Sequence, residues 1–277
     1  MTVYQEIECS MADRVATVAL NRPGARNGFT ERMSDELAAA ITAASVDDDV
    51  RVIVLTGRGA DFCVGADLSG GPLNASASEP GWQEPAGRVV KAIYTCAKPV
   101  IAALRGAAVG AGSTIVLPAD YRLAATDSRF GFVFSRRGLY PEGGSTWFLP
   151  RLVGLGVAMD WMVSGRVFDA AEALDAGLVH SLHEPAAVLD AAYALAAELV
   201  ATTAPVPVAV IRQMLFRLSA FDSPAVAHEV DSRLIAGCTT SRDAVEGVVS
   251  FLQRRPPVFT ETVSADLPEW LPWNEKS

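Results

Sequence analysis

Positive charge is scarce in this 277-residue chain: 23 Lys and Arg stand against 32 Asp and Glu, a formal net charge of −9. No Lys/Arg cluster forms a stripe that tracks phosphates, so a nucleic-acid partner is excluded. An anionic substrate must then be met locally, by a few well-placed cations. Cysteine is sparse too. Cys9, Cys63, Cys96 and Cys238 lie far apart with no C-x-x-C pair, which predicts buried free thiols in a reducing compartment. Of three histidines, His180 and His183 share a turn but have no third ligand type nearby, so no metal site is expected. His228 falls on a helical pattern and reads as a surface or core residue. No Gly-Lys-Ser/Thr triplet and no Gly-x-Ser-x-Gly elbow occur, which argues against a nucleotide phosphate loop and a serine hydrolase. No segment approaches the roughly 20 uninterrupted apolar residues needed to span a bilayer. The first residues carry no basic region followed by an apolar core. The expectation is a cytoplasmic protein with no membrane partner.

What is present is apolar patterning. Hydrophobic residues make up 50% of the chain, enough for a sizeable core. Residues 3–9 and 14–20 alternate apolar and polar positions, predicting an opening hairpin. A helix from Thr30 places Met33, Leu37, Ile41 and Ala44 on one face. Val50–Thr56, Val100–Leu104 and Ala119–Ala125 read as strands buried on both sides, separated by turn glycines and helical patterns. That order predicts an α/β architecture with mainly parallel strands, either an open sheet or a coil of stacked units. Residues 69–86 form the one long Gly/Pro/Ser-rich stretch, a lid or an inert insertion. From 155 onward the pattern is almost wholly helical, ending in a Pro-rich tail whose Trp270 and Trp273 read as exposed aromatics suited to a neighbouring subunit.

Two glycine-bearing turns, Phe62–Asp67 and Gly106–Gly112, each sit between an apolar strand-like run and a helical pattern. Backbone N–H groups at the start of a helix lack intrahelical partners and point outward. Two such turns aimed at one point would form an oxyanion hole for an enolate or tetrahedral oxygen. Tight turns also use glycine with no function, so the plainer reading stays open. Gly110-Ala111-Gly112 opens like a dinucleotide fingerprint, but Ile115 stands where the third glycine belongs. Glu142, in Pro-Glu-Gly-Gly, is the strongest candidate acid. Its sequence neighbours include Phe132, Phe134, Leu139, Tyr140, Trp147 and Phe148, and a poorly solvated carboxyl rises toward neutrality as a general base requires. The competing role is service to the dipole of the helix that follows. Asp120 and Asp127 flank a strand end and read as caps.

These motifs together resemble the crotonase (enoyl-CoA hydratase/isomerase) superfamily over nearly the whole chain. The matching pieces are Leu20-Asn21-Arg22-Pro23 with Asn27, Phe62–Leu68, Lys98–Ala102 with Gly106, Gly110–Gly112, Ala119–Arg122, Phe130-Gly131, Gly138–Gly144 and Ala176–Val179. The resemblance implies a ββα spiral core over 1–200 and a helical C-terminal oligomerisation region over 201–277, assembled as a homotrimer or a dimer of trimers. It implies an acyl-CoA substrate and no separate cofactor, the CoA thioester being part of the substrate. The thioester oxygen would be held by the N–H groups of Ala66 and Ala111. Val64 and Leu68, flanking Gly65, match positions that line the adenine pocket. Arg26 is an expected CoA contact, with a solvated surface role as the alternative. Phe134, Leu139 and Trp147 are expected to shape the acyl pocket.

The chain departs from the family's best-known hydratases. Their two glutamates fall at Thr114 and Phe134, neither of which can move a proton. Glu142 instead matches an acidic position used by relatives that shift double bonds. The expectation is isomerisation of a 3-enoyl-CoA to a 2-enoyl-CoA with Glu142 as the single base. The alternatives are a 2-enoyl-CoA hydratase using Glu142 alone, chemistry on an aromatic-derived acyl-CoA, and an acyl-CoA-binding protein without turnover.

Overall fold

The computed structural model describes residues 4–67 and 81–273. Leu68 and most of the proposed 69–86 lid therefore lie outside the described residues. A hairpin opens the chain, β1 (Ile7–Ala12) antiparallel to β2 (Val15–Leu20), turned by Asp13 and Arg14. Beyond it, β3 (Val52–Gly57), β4 (Val100–Leu104), β6 (Tyr121–Ala125) and β9 (Ser181–His183) continue the sheet in parallel, in the order β1-β2-β3-β4-β6-β9. Between them, β5 (Ala107–Val109), β7 (Arg129–Gly131) and β8 (Val167–Asp169) form a second, three-stranded sheet. From β4 onward the chain passes repeatedly from one sheet to the other. This is a coil of stacked units rather than one open sheet.

The expected alternation in β2 is absent, because all six of its residues are buried. A central strand covered on both faces has no solvent side to alternate with. Successive residues of β3 serve opposite faces: Val52 and Val54 join the cluster under α6 (Val188–Thr202), while Ile53 and Leu55 join the main core. Helix α1 (Glu31–Val46) starts where Thr30 accepts the Met33 N–H, at 3.0 Å, and buries Met33, Leu37, Ile41 and Ala44 as their spacing predicts. Each large side chain of that face contributes about 1.5–3 kcal/mol by leaving water. Helix α2 (Pro85–Thr95) and the one-turn helix α3 (Ala111–Thr114) pack on the same side of the molecule.

The second half is less uniformly helical than its pattern suggests. Helix α4 (Ser145–Ser164) is interrupted at Gly154, and α5 (Ala170–Asp175) follows β8 directly. Helices α7 (Pro205–Leu218), α8 (Ala225–Gly237), α9 (Arg242–Gln253) and α10 (Val263–Asp266) complete the chain. Strands β8 and β9 have three residues each, too short to leave a period in the sequence. Trp270 and Trp273 are half-buried against Val206 and Val210 of α7, not exposed. Asp120 caps no helix; it accepts the Val100 N–H and pairs with the buried Arg212 of α7 at 2.8 Å. Arg212 also donates to the carbonyls of Ile93 and Cys96, tying α7 to the end of α2. Cys63 and Cys96 are buried free thiols, but Cys9 and Cys238 are exposed. No single helix among the described residues is long and apolar enough to cross a membrane.

Candidate active site

The segment Phe62–Asp67 runs beside β5. Cys63 N–H donates to the Ala107 carbonyl at 2.8 Å, and Val109 N–H returns to the Cys63 carbonyl at 3.0 Å. On its other side Phe29 N–H donates to the Gly65 carbonyl and Asp67 N–H to the Phe29 carbonyl. That parallel bridge engages the residues on either side of Ala66 and turns Ala66's own N–H away from Phe29. Among the described residues, no acceptor is paired with the N–H of Ala66 or of Ala111. Ala111 opens α3 immediately after Gly110, so its N–H is one of the unpartnered donors of a helix start.

The two donor turns touch. Gly65 has φ +97°, and a Cβ there would lie 3.0 Å from the Val109 carbonyl oxygen. Glycine is required at that point both for the left-handed backbone and for the close approach. Val64 is half-buried, Gly65 buried and Ala66 exposed, so the donor at 66 faces accessible space.

Glu142 belongs to the same neighbourhood. Its turn presses on α3 and α2: a Cβ on Gly143 would meet Thr114 Cγ2 at 2.5 Å and Val90 Cγ2 at 3.1 Å. With φ +58°, Gly143 also needs the freedom of glycine. Ala111 is thus separated from the base-bearing turn by the single turn of α3. The buried Cys63 thiol feels the Glu142 charge, and burial with that charge pushes it up to about 12.

Glu142 is half-buried, and no hydrogen bond or ion pair among the described residues engages its carboxylate. Burial, and then the nearby charge of Glu84, push it up to about 7 from an ordinary 4.5. A carboxylate serving the α4 dipole would accept from the first N–H groups of that helix and be held low. Here the Trp147 and Phe148 N–H groups go to the Gly144 carbonyl instead, so desolvation wins. The buried hydroxyls of Thr114 and Ser145, beside this turn, have no partner among the described residues.

A cavity of about 320 Å³ opens at the turn, lined by Val90, Lys91, Tyr94, Gly143, Gly144, Trp147 and Phe148. Its walls are apolar and aromatic, with the Tyr94 and Trp147 rings edge to face at 6.2 Å. Trp147 is one of the residues that line it. Phe134 is packed into the main core and Leu139 is partly exposed; neither lines this cavity. Tyr140 is 90% exposed and does not enclose Glu142. A larger cavity of about 750 Å³ lies among α7, α8 and the C-terminal segment, remote in the chain from every candidate site residue.

Arg26 is mostly exposed and bound to Asp61 at 2.7 Å, so a CoA phosphate would have to share it with that carboxylate. The neighbouring Arg22 is bound to Glu6 and Asp67. His180 Nδ1 accepts the Arg122 N–H, and His183 Nε2 bonds Ser181, both structural contacts within the sheet. Two contributors escaped sequence reasoning. Glu84 has no motif around it, and Tyr94 sits on an α2 pattern that records burial but not which face borders a cavity.

The enoyl-CoA hydratase/isomerase family model matches residues 10–262. The chain is 34% identical to the enoyl-CoA hydratase AKT3-2 of Alternaria alternata over 257 residues, 91% of this chain and 85% of that one. It is also 34% identical to the 1,2-epoxyphenylacetyl-CoA isomerase of Escherichia coli over 252 residues, 89% of this chain and 95% of that one. The crystal structure of an enoyl-CoA hydratase from Bacillus anthracis superposes with a TM-score of 0.84 at 27% identity, covering 92% of this chain and 99% of that one.

Proposed function

Since the chain belongs to the enoyl-CoA hydratase/isomerase (crotonase) superfamily, we propose that it shifts the double bond of a 3-enoyl-CoA to give the conjugated 2-enoyl-CoA. The observation that carries this reading is the half-buried Glu142 carboxylate, without a partner among the described residues and raised to about 7, in the neighbourhood of two unpartnered backbone donors. The thioester oxygen sits between the N–H groups of Ala66 and Ala111. Ionised Glu142 removes a proton from C2, and the C–H electrons pass into a dienolate whose negative oxygen those two donors hold. Protonated Glu142 then returns the proton to C4, so the C3–C4 double bond is lost and a C2–C3 double bond forms. One acid on one face suffices, and the reaction balances with no co-reactant.

Hydration asks more of the protein, because a water must be activated while a proton is delivered to C2. Thr114 and Phe134 stand where a second acid would be needed, which favours isomerisation. The relative named a hydratase supports the rival reading, in which Glu142 alone directs water onto a 2-enoyl-CoA. The relative named for 1,2-epoxyphenylacetyl-CoA, with the aromatic walls of the cavity, supports a ring-bearing acyl group. An acyl-CoA-binding protein without turnover predicts binding of the same esters and no product from either.

The same reading gives residues 1–200 the chemistry and 201–277 the assembly, as a homotrimer or a dimer of trimers. Val245, Val248, Phe251 and Leu252 leave one face of α9 apolar and exposed, which supports burial against another copy. Following the conjugated thioester absorbance with 3-enoyl- and 2-enoyl-CoA esters tests the function. A rise on the first that Glu142→Gln abolishes is expected. Rapid loss of absorbance on the second, with none gained on the first, would make the protein a hydratase.

A further inference from the structure

We propose that Glu84 is a positioning residue for Glu142, stapling the base-bearing turn to the start of α2 and setting a second negative charge one peptide away from the base. It rests on Glu142 being the base. The staple is explicit in the geometry: Glu84 Oε2 accepts the Gly87 N–H at 2.7 Å, and Oε1 accepts the Gly143 N–H at 2.6 Å. One carboxylate therefore joins two segments 59 residues apart in the chain.

The residue type is informative. Helix N-caps favour Ser, Thr, Asp and Asn, whose short side chains turn back on their own helix. Glu84 caps α2 with one oxygen, and its longer side chain carries the other across to Gly143. A shorter residue would cap the helix and leave the turn unattached. Hydrogen bonds from N–H groups to an ionised carboxylate are among the stronger kind, so the staple holds position as well as charge.

No described cation neutralises Glu84. On α2, Arg88 is paired with Asp35, and Lys91 lies at the exposed edge of the cavity. Arg136 is bound to the Ser164 carbonyl, and Arg151 lies over the Trp147 ring at 4.0 Å. Cys63 is buried and uncharged in the neutral range. Glu84 is the neighbouring charge that acts on Glu142, and it favours the protonated form. A base that holds its proton more tightly is the stronger base, and more of it carries the proton between carbons at neutral pH.

Glu84→Gln keeps size and removes the charge, and with one acceptor oxygen keeps only one of the two N–H bonds; Glu84→Asp keeps the charge and the α2 cap but cannot reach Gly143. The readout is an infrared titration of ligand-free protein carrying ¹³C-carboxyl glutamate, with the Glu142 band assigned by difference against Glu142→Gln. In Glu84→Gln the proton affinity of Glu142 is expected to fall about threefold to tenfold, and the pH–rate profile to move the same way. Glu84→Asp is expected to retain most of the proton affinity but lose severalfold in kcat, with thermal unfolding of each variant recorded alongside. Unchanged Glu142 titration in folded Glu84→Gln overturns the electrostatic part, and wild-type kcat in Glu84→Asp overturns the staple. If Glu84→Gln does not fold, Glu84→Ala takes its place in the Glu142 titration, and Glu84→Asp still decides the staple. The titration needs no substrate, so a shifted Glu142 in a protein that isomerises nothing would sink the proposed reaction and leave the coupling of Glu84 to Glu142 standing.

Discussion

The donor turns at Ala66 and Ala111 are fastened chiefly by main chain, through the β5 pairing of Cys63 and the bridge to Phe29, with the Arg22–Asp67 pair and the Ser113 hydroxyl as side-chain ties, whereas the Glu142 turn is tied by a side chain from a distant segment. The backbone bonds of the first arrangement carry no titrating proton. The second is tuned by burial and by Glu84, and changes with both. A site that must offer fixed dipoles and also carry a proton gains from this separation. The donors stay put while the acid alone titrates.

Leaving the base itself in place, substitution on the donor side has the largest predicted effect on turnover. Gly65→Val adds a branched side chain at φ +97° against the Val109 carbonyl and displaces the Ala66 N–H. A loss of about 10²- to 10³-fold in kcat is expected, the usual scale for removing an oxyanion donor. Wild-type kcat in Gly65→Val would break the comparison outright.

On the acid side an effect appears in stability as well as in turnover. Ionising Glu142 in the folded protein opposes burial, a cost absent below about pH 4.5 and complete above about pH 7. Glu142→Gln avoids it. Urea unfolding should show the variant gaining on wild type as pH rises through that window, by about 3 kcal/mol at most. A pH-independent difference would mean that the acid is well solvated. The smallest effect is reserved for Ala66→Ser, which leaves the backbone donor in place. Its kcat should stay within about threefold of wild type, in line with a main-chain role. A large loss would mean that the side chain at 66, not the amide, matters.

The same contrast explains what could be read from the residues. Backbone donors require left-handed turns and close packing, which leave glycine at 65, 110 and 112 as a local trace. Glu142 was visible through its own Pro-Glu-Gly-Gly turn, and desolvation was legible as the cause of its raised proton affinity, but the added charge of Glu84 was not. Tyr140 and Leu139, adjacent in sequence, face outward, while the turn packs on α2 and α3 and Glu84 adds its charge. Glu84 lies 59 residues before Gly143, and no periodicity reports a contact of that separation. The buried strands were legible because both faces of the larger sheet are covered. Strands β8 and β9 were not, being three residues long and held by their neighbours. The tail tryptophans were misjudged for a similar reason: their cover is α7, supplied by tertiary packing.

The most direct test is exchange of the C2 hydrogen of a saturated acyl-CoA in D₂O, followed by mass spectrometry with wild-type protein and Glu142→Gln. The account predicts exchange by the wild type that weakens as pH falls below about 7, and a loss of about 10²- to 10⁴-fold in the variant with ester binding retained. Exchange at an undiminished rate in Glu142→Gln would show that another group removes the proton.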